Sequence, residues 1–295
     1  MLLLEHPSRE NTMNVGLVLG GGGTIGIAWE TGFLEGCAEG GLDLTTAQVI
    51  VGTSAGAMVG ARIAHRGLAD APSDRKRPGG IPADVFAHVA QESAKEIYAT
   101  WLKMTGPDPA SARRMGELSC QTENDGEAMV SALDTGYEWP QRDLRIVTVS
   151  TQSGERRVFD RSSGVELSRC IAASGAVPAM FAPIAIDGER YMDGQVHSGT
   201  NADLLLDDDL AAIVIAAPTC KLTADALGVV ADHCLAAELK LLDAAGKRVI
   251  TIAPRAEDKE AFGSSLMDPT HAESAKAAGH GQGLAAAAGE LAMLK

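Results

Sequence analysis

No stretch of this 295-residue chain approaches the roughly 18 consecutive apolar residues that a membrane-spanning helix needs. The opening Met1-Leu2-Leu3-Leu4 is cut short by Glu5, His6 and Arg9, so no secretory h-region develops. Cysteine is scattered: Cys37, Cys120, Cys170, Cys220 and Cys234 form no C-x-x-C pair. That argues against a zinc site or a disulfide framework and reads as buried thiols in a reducing compartment. The expectation is a soluble, cytoplasmic protein. Positive charge is the third shortage. Against 39 acidic residues stand 25 Lys and Arg, a net charge of −14. Nucleic-acid binding needs clustered cations, and anionic lipid surfaces repel such a chain, so both are disfavoured as partners. The one basic run, Arg75-Lys76-Arg77, sits among Pro and Gly and reads as a solvated loop. There is no internal repeat of fixed period.

What is present is a soluble α/β composition, with 45% hydrophobic and 22% charged residues. Val15 to Leu19 is a short apolar run followed by Gly20-Gly21-Gly22-Gly23, and Ile25 to Glu39 continues with helical spacing. Val49-Ile50-Val51 stops at Gly52, and Ser54 to His65 again reads as helix. Repeated strand–turn–helix units predict a mainly parallel sheet covered on both faces. Residues 70–82 carry three prolines and read as a loop. The polar stretches 83–104 and 110–133 read as an inserted helical cap, within a cap region of about 70–140. Further strands are expected at Leu144–Val149, Arg157–Phe159, Ile184–Ile186, Ala212–Ala216 and Val249–Ile252, with helices at 222–245 and from 257 onward. From Ser274 the Ala- and Gly-rich tail reads as a loosely packed helix or a partly disordered segment.

The chemistry concentrates in three places. Gly52-Thr53-Ser54-Ala55-Gly56 is a G-x-S-x-G elbow between an apolar strand and a helix. The glycines permit a sharp turn that projects Ser54 Oγ, and the helix start offers a positive dipole to an anionic intermediate. The glycine run at 20–23 offers backbone N–H donors unobstructed by side chains, as an oxyanion requires. The same run also satisfies Gly21-x-Gly23-x-x-Gly26, a dinucleotide-binding pattern that would make Asp43 a ribose ligand. Against that, no strand of proper length ends at Asp43, which reads as a surface turn residue. Third, Asp193 ends the alternating run Glu189 to Asp193 and precedes Gly194, where a carboxylate can accept the Ser54 proton. His197 is the rival base and His65 a remoter one; both read as structural or channel residues.

Taken in order, these motifs and the stretch Ala173 to Pro183 resemble the patatin-like phospholipases, over roughly residues 13–255. The resemblance implies a three-layer α/β/α fold, a hydrolase domain at 13–255 after an extension at 1–12, and a helical segment at 256–295. It implies acyl-ester hydrolysis by a Ser54–Asp193 dyad with Gly21, Gly22 and Gly23 as oxyanion loop, on a lipid or small ester substrate, without cofactor or metal. Two positions depart from the family. Ile25 stands where Arg or Lys is usual, and Asp193-Gly194-Gln195 replaces Asp-Gly-Gly or Asp-Gly-Ala. The first permits a catalytically silent module; the second leaves the role of Gln195 open. In the cap, Ile97, Tyr98, Trp101, Leu102 and Met104 share a helical face, which reads as packing over the site, with transient lipid contact as the alternative.

Overall fold

The computed structural model describes residues 13–68, 85–134, 136–221 and 226–295. The N-terminal extension 1–12, the 70–82 loop with its basic run, and the start of the 222–245 helix lie outside them.

Each apolar run forms a strand because alternate side chains find a hydrophobic layer on either side. In β1 (Met13–Leu19), Leu17 and Leu19 enter one core and Val18 the other. In β2 (Ala47–Thr53), Ile50 faces the first and Val49 and Val51 the second. The first layer is built by α1 (Gly23–Glu39), α2 (Ala55–Arg66), α6 (Leu167–Ser174), the short α8 (Lys259–Phe262) and α9 (Ala272–Ala288). The second is built by α7 (Ala226–Ala244) and the turn Ala202–Leu205. This is the expected three-layer arrangement.

The remaining strands are β3 (Asp143–Ser150), β4 (Arg156–Phe159), β5 (Ile184–Ile186), β6 (Glu189–Asp193), β7 (Ala212–Ala216) and β8 (Val249–Ile252). The sheet runs β5-β6-β3-β2-β1-β7-β8, with β4 paired to β3. Its centre, β3-β2-β1-β7-β8, is parallel, while β4, β5 and β6 pair antiparallel. One consequence governs the site. β2 pairs with β3 up to Thr53–Val147, and β6 pairs with β3 at Ser150, Val149 and finally Thr148–Asp193. β4 covers Ile146 to Val149 and so overlaps both. β2 and β6 therefore share the opposite edge of β3 and arrive head to head at adjacent residues.

The cap is more broken than its polar pattern predicts. Helices α3 (Gln91–Trp101), α4 (Pro109–Ser119) and α5 (Glu127–Leu133) replace the two expected stretches. Residues 86–90 are not helical, because Phe86 bridges to Phe181 and stacks on its ring. The second stretch breaks where Gly126 adopts φ 83° before α5. Ile97, Trp101 and Met104 are buried with Met115, Leu118, Val149, Met192 and Val196, so that face packs on the strands flanking Asp193; Leu102 remains exposed.

The tail departs most from expectation. It is a well-formed helix in backbone contact with α1. A Cβ on Gly32 or Gly36 would collide with the Lys276 or His280 carbonyl, and one on Gly279 or Gly283 with the Trp29 or Phe33 carbonyl. Glycines at i and i+4 on both helices let the axes approach closely, and Lys276–Glu35 and His280–Glu39 (each 2.9 Å) flank the seam. A low-complexity composition here encodes a tight interface. Gly279→Val should therefore lower the thermal midpoint strongly, the collision being with backbone that cannot yield cheaply. Gly281→Val, on the same helix with open space at its Cβ position, should cost much less; scanning calorimetry of the pair checks this.

Candidate active site

Ser54 follows the last residue of β2 and caps α2 with φ 54° and ψ −114°, a strained backbone for a non-glycine residue. The surroundings hold it there. Its N–H donates to Ser174 Oγ (2.9 Å), which donates onward to the Val147 carbonyl (2.6 Å). A Cβ at Gly52 would crowd Ala57, and one at Gly56 would strike the Leu19 carbonyl, so the flanking glycines are steric requirements of the elbow. Gly56 N–H donates to Gly20 O (3.0 Å), tying the elbow helix to the glycine loop.

Asp193 reaches the same place from β6. It is fully buried, and its N–H donates to Ala176 O (3.0 Å). Oδ1 accepts from the Gln195 N–H (2.8 Å). Oδ2 makes no hydrogen bond of proper geometry among the described residues. Burial pushes the carboxyl up to about 7, while the Gln195 amide and then the nearby Ser54 hydroxyl favour the ionised form. A carboxylate with one free oxygen, poised near neutrality beside a serine hydroxyl, is suited to general-base work.

In the glycine loop the three amides are not equivalent. Gly21 N–H donates to Gly199 O (2.9 Å), whereas the N–H groups of Gly22 and Gly23 have no partner among the described residues and lie at the α1 N-terminus. Ile25 is buried in the core and donates its N–H to Leu266 O (3.0 Å). Behind the loop, Glu30 is fully buried without a formed hydrogen bond among the described residues. Burial holds it well above the usual carboxylate range, against the opposing pull of the Gly20 amide and the Arg62 charge.

The rival residues fall elsewhere. His197 makes no hydrogen bond to Ser54 or Asp193; burial first and the Arg156 charge next push it down to about 4, with Asp203 opposing. His65 is exposed at the end of α2 and stacks on Tyr137 at 4.5 Å. Asp43 caps the turn before β2 by accepting from Thr45 N–H and Oγ1 (3.0 and 2.6 Å), so it does not stand at a strand's carboxyl end as a ribose ligand does. The thiols of Cys37, Cys170 and Cys234 are pushed up to about 12 by burial.

Sequence reasoning missed the residues that hold the two arms together. Asn201, at φ 56°, donates from Nδ2 to Thr53 Oγ1 (3.1 Å) and Ser198 O (2.7 Å), linking β2 to the turn after β6. Arg156 steadies it through Oδ1 (3.2 Å) and pairs with Asp203 (2.6 Å). Buried Glu238 accepts from Thr200 and from the Ala202 N–H (3.1 Å). An Asn preceding a short turn was the only local signal.

A serine at a strained strand–helix elbow, an aspartate ending the opposing strand and a glycine loop at a helix start thus meet at one end of an α/β sheet. The family model described as patatin-like phospholipase matches residues 17–206, and the chain belongs to that family. Among solved structures it is similar to VipD from Legionella pneumophila (14% identity, TM-score 0.45, 94% of this chain and 66% of that one). It is also similar to the type III effector protein ExoU (17% identity, TM-score 0.38, 92% and 52%). The chain thus spans less than two thirds of the length of either. No curated protein matches it. No helix among the described residues is long and apolar enough to cross a membrane.

The buried carboxyl makes a stability prediction. A folded-state value raised from 3.8 to about 7 means the neutral form is favoured on folding. Its contribution is full below about pH 4 and is lost as pH rises through about 7. Asp193→Asn, neutral throughout, should melt above the wild type at about pH 8, the gap closing toward about pH 4. Thermal melts at the two pH values check this; an Asn variant melting lower at about pH 8 would mean the carboxylate is well solvated or paired.

Proposed function

We propose that this chain is a serine acyl hydrolase, cleaving carboxylic esters of lipids or lysophospholipids, with Ser54 as nucleophile and Asp193 as its general base. The observation that carries the reading is the head-to-head arrival of β2 and β6 on β3, which leaves the unpartnered Asp193 Oδ2 beside Ser54. In the first half-reaction Ser54 Oγ attacks the ester carbonyl carbon while its proton passes to Oδ2. The carbonyl oxygen becomes an oxyanion, faced by the free Gly22 and Gly23 amides and the α1 dipole. Collapse breaks the C–O bond to the alcohol, which leaves with the proton from Asp193. Water then attacks the acyl-Ser54 ester, Asp193 again takes a proton, and the carboxylic acid departs as Ser54 is restored.

No histidine is needed, in keeping with the lack of any hydrogen bond from His197 to either residue. The acidic surface charge and the inward packing of Ile97, Trp101 and Met104 favour soluble or micellar substrates, with membrane contact at most transient and action in a reducing cytoplasm.

Turnover of a lysophospholipid, a monoglyceride and a nitrophenyl ester tests the reading. Ser54→Ala and Asp193→Asn should each lower it by about 1000-fold or more, and His197→Ala by less than about tenfold. A loss of about 1000-fold in His197→Ala with an intact fold would replace the dyad with a triad.

A further inference from the structure

The family's small residue after Asp-Gly is here Gln195, half-buried beside the nucleophile. Its backbone N–H is fixed on Asp193 Oδ1, which anchors the side chain's starting point. The side chain then turns back over the glycine loop. A Cβ on Gly21 would collide with Gln195 Oε1, with Gln195 Cδ at 2.9 Å and Ser54 Cβ at 3.4 Å from the same point. The carboxamide and the nucleophile thus flank one small volume in front of Gly21. Neither end of that carboxamide has a hydrogen-bond partner among the described residues. The amide of Gly21 is itself held by Gly199 O and offers nothing to that volume. The glycine loop therefore lacks one donor where a primary amide stands ready.

Resting on Ser54 as the nucleophile, we infer that Gln195 donates a hydrogen bond from its side-chain amide to the oxyanion, taking the place left by the committed Gly21 N–H. The amide group presents nitrogen or oxygen to the same spot by rotating about its last torsion, and an incoming oxyanion selects the nitrogen. In the ground state the substrate carbonyl gains little from it. The bond strengthens as negative charge develops, so the effect falls on kcat more than on KM. Gln195 would then contact the reacting atoms directly and count as a catalytic residue.

Gln195→Met keeps the shape without the donor, and Gln195→Glu keeps the shape with an acceptor in its place. Both should lower kcat on a nitrophenyl ester by about 100-fold or more with KM within about threefold. Both should weaken inhibition by an alkyl trifluoromethyl ketone, whose serine adduct carries the oxyanion, by a similar factor. Thermal melts exclude misfolding, and either variant alone suffices if the other is unstable. Unchanged kcat and ketone affinity in Gln195→Met would overturn the inference, as would a rise in kcat/KM, which would make Gln195 an obstruction. Ser54→Ala is run alongside. If it retains activity, the nucleophile assignment itself fails; if it is dead while Gln195→Met is fully active, only the role of Gln195 falls.

Discussion

The edge of β3 between Val147 and Thr148 is the place on which the site depends. A parallel strand ends there from one direction and an antiparallel strand from the other, because β4 occupies the opposite edge. Gly194 sits so tightly in the junction that a Cβ would strike the Val147 carbonyl and lie 3.2 Å from Thr53 Cγ2. No larger residue closes the gap, and a one-residue slip of β6 would turn Asp193 to the other face of the sheet. Ser174 and Asn201 reinforce the same junction from opposite sides, one through the Ser54 N–H and Val147 O, the other through Thr53 Oγ1. The strained elbow persists because these contacts over-determine it.

The electrostatics follow from that packing. Cap residues Ile97, Trp101 and Met115, with Val149, Met192 and Val196, form the apolar cluster around the strand ends, and Asp193 is left with no exposed surface. Burial without a cation nearby raises the carboxyl toward neutrality, where a base takes and returns a proton most readily. Folding holds a destabilised carboxylate in place, a common arrangement where catalytic groups are tuned by their surroundings. Burial raises Glu30, behind the glycine loop, in the same way; nothing in its contacts gives it a chemical task.

Much of this was legible in the sequence, and the limits are physical. Apolar runs ending in glycine marked β1 and β2, since buried parallel strands read as continuous hydrophobic stretches. The elbow and the Asp-Gly turn are local patterns and were visible. Strand direction is not local: the period-two alternation of Glu189 to Asp193 is the same whichever way β6 pairs. Ser174 and Asn201 act across 120 and 148 residues of chain, beyond any pattern. The tail misled because Ala and Gly read as low complexity, while the spacing of Gly279 and Gly283 against Gly32 and Gly36 makes a close helix pair. The commitment of Gly21 N–H to Gly199 depends on a loop that sequence reading left unplaced.

The central claim is that Asp193, held near neutrality by burial, activates Ser54 without a histidine. The rate at which a fluorophosphonate phosphonylates Ser54, with loss of fluoride, followed against pH, reads the ionisation of that base with no dependence on the natural substrate. The account predicts a rate that rises with pH through a single inflection near 7, unchanged in His197→Ala and abolished in Asp193→Asn. An inflection that survives in Asp193→Asn, or one that disappears in His197→Ala, would contradict it.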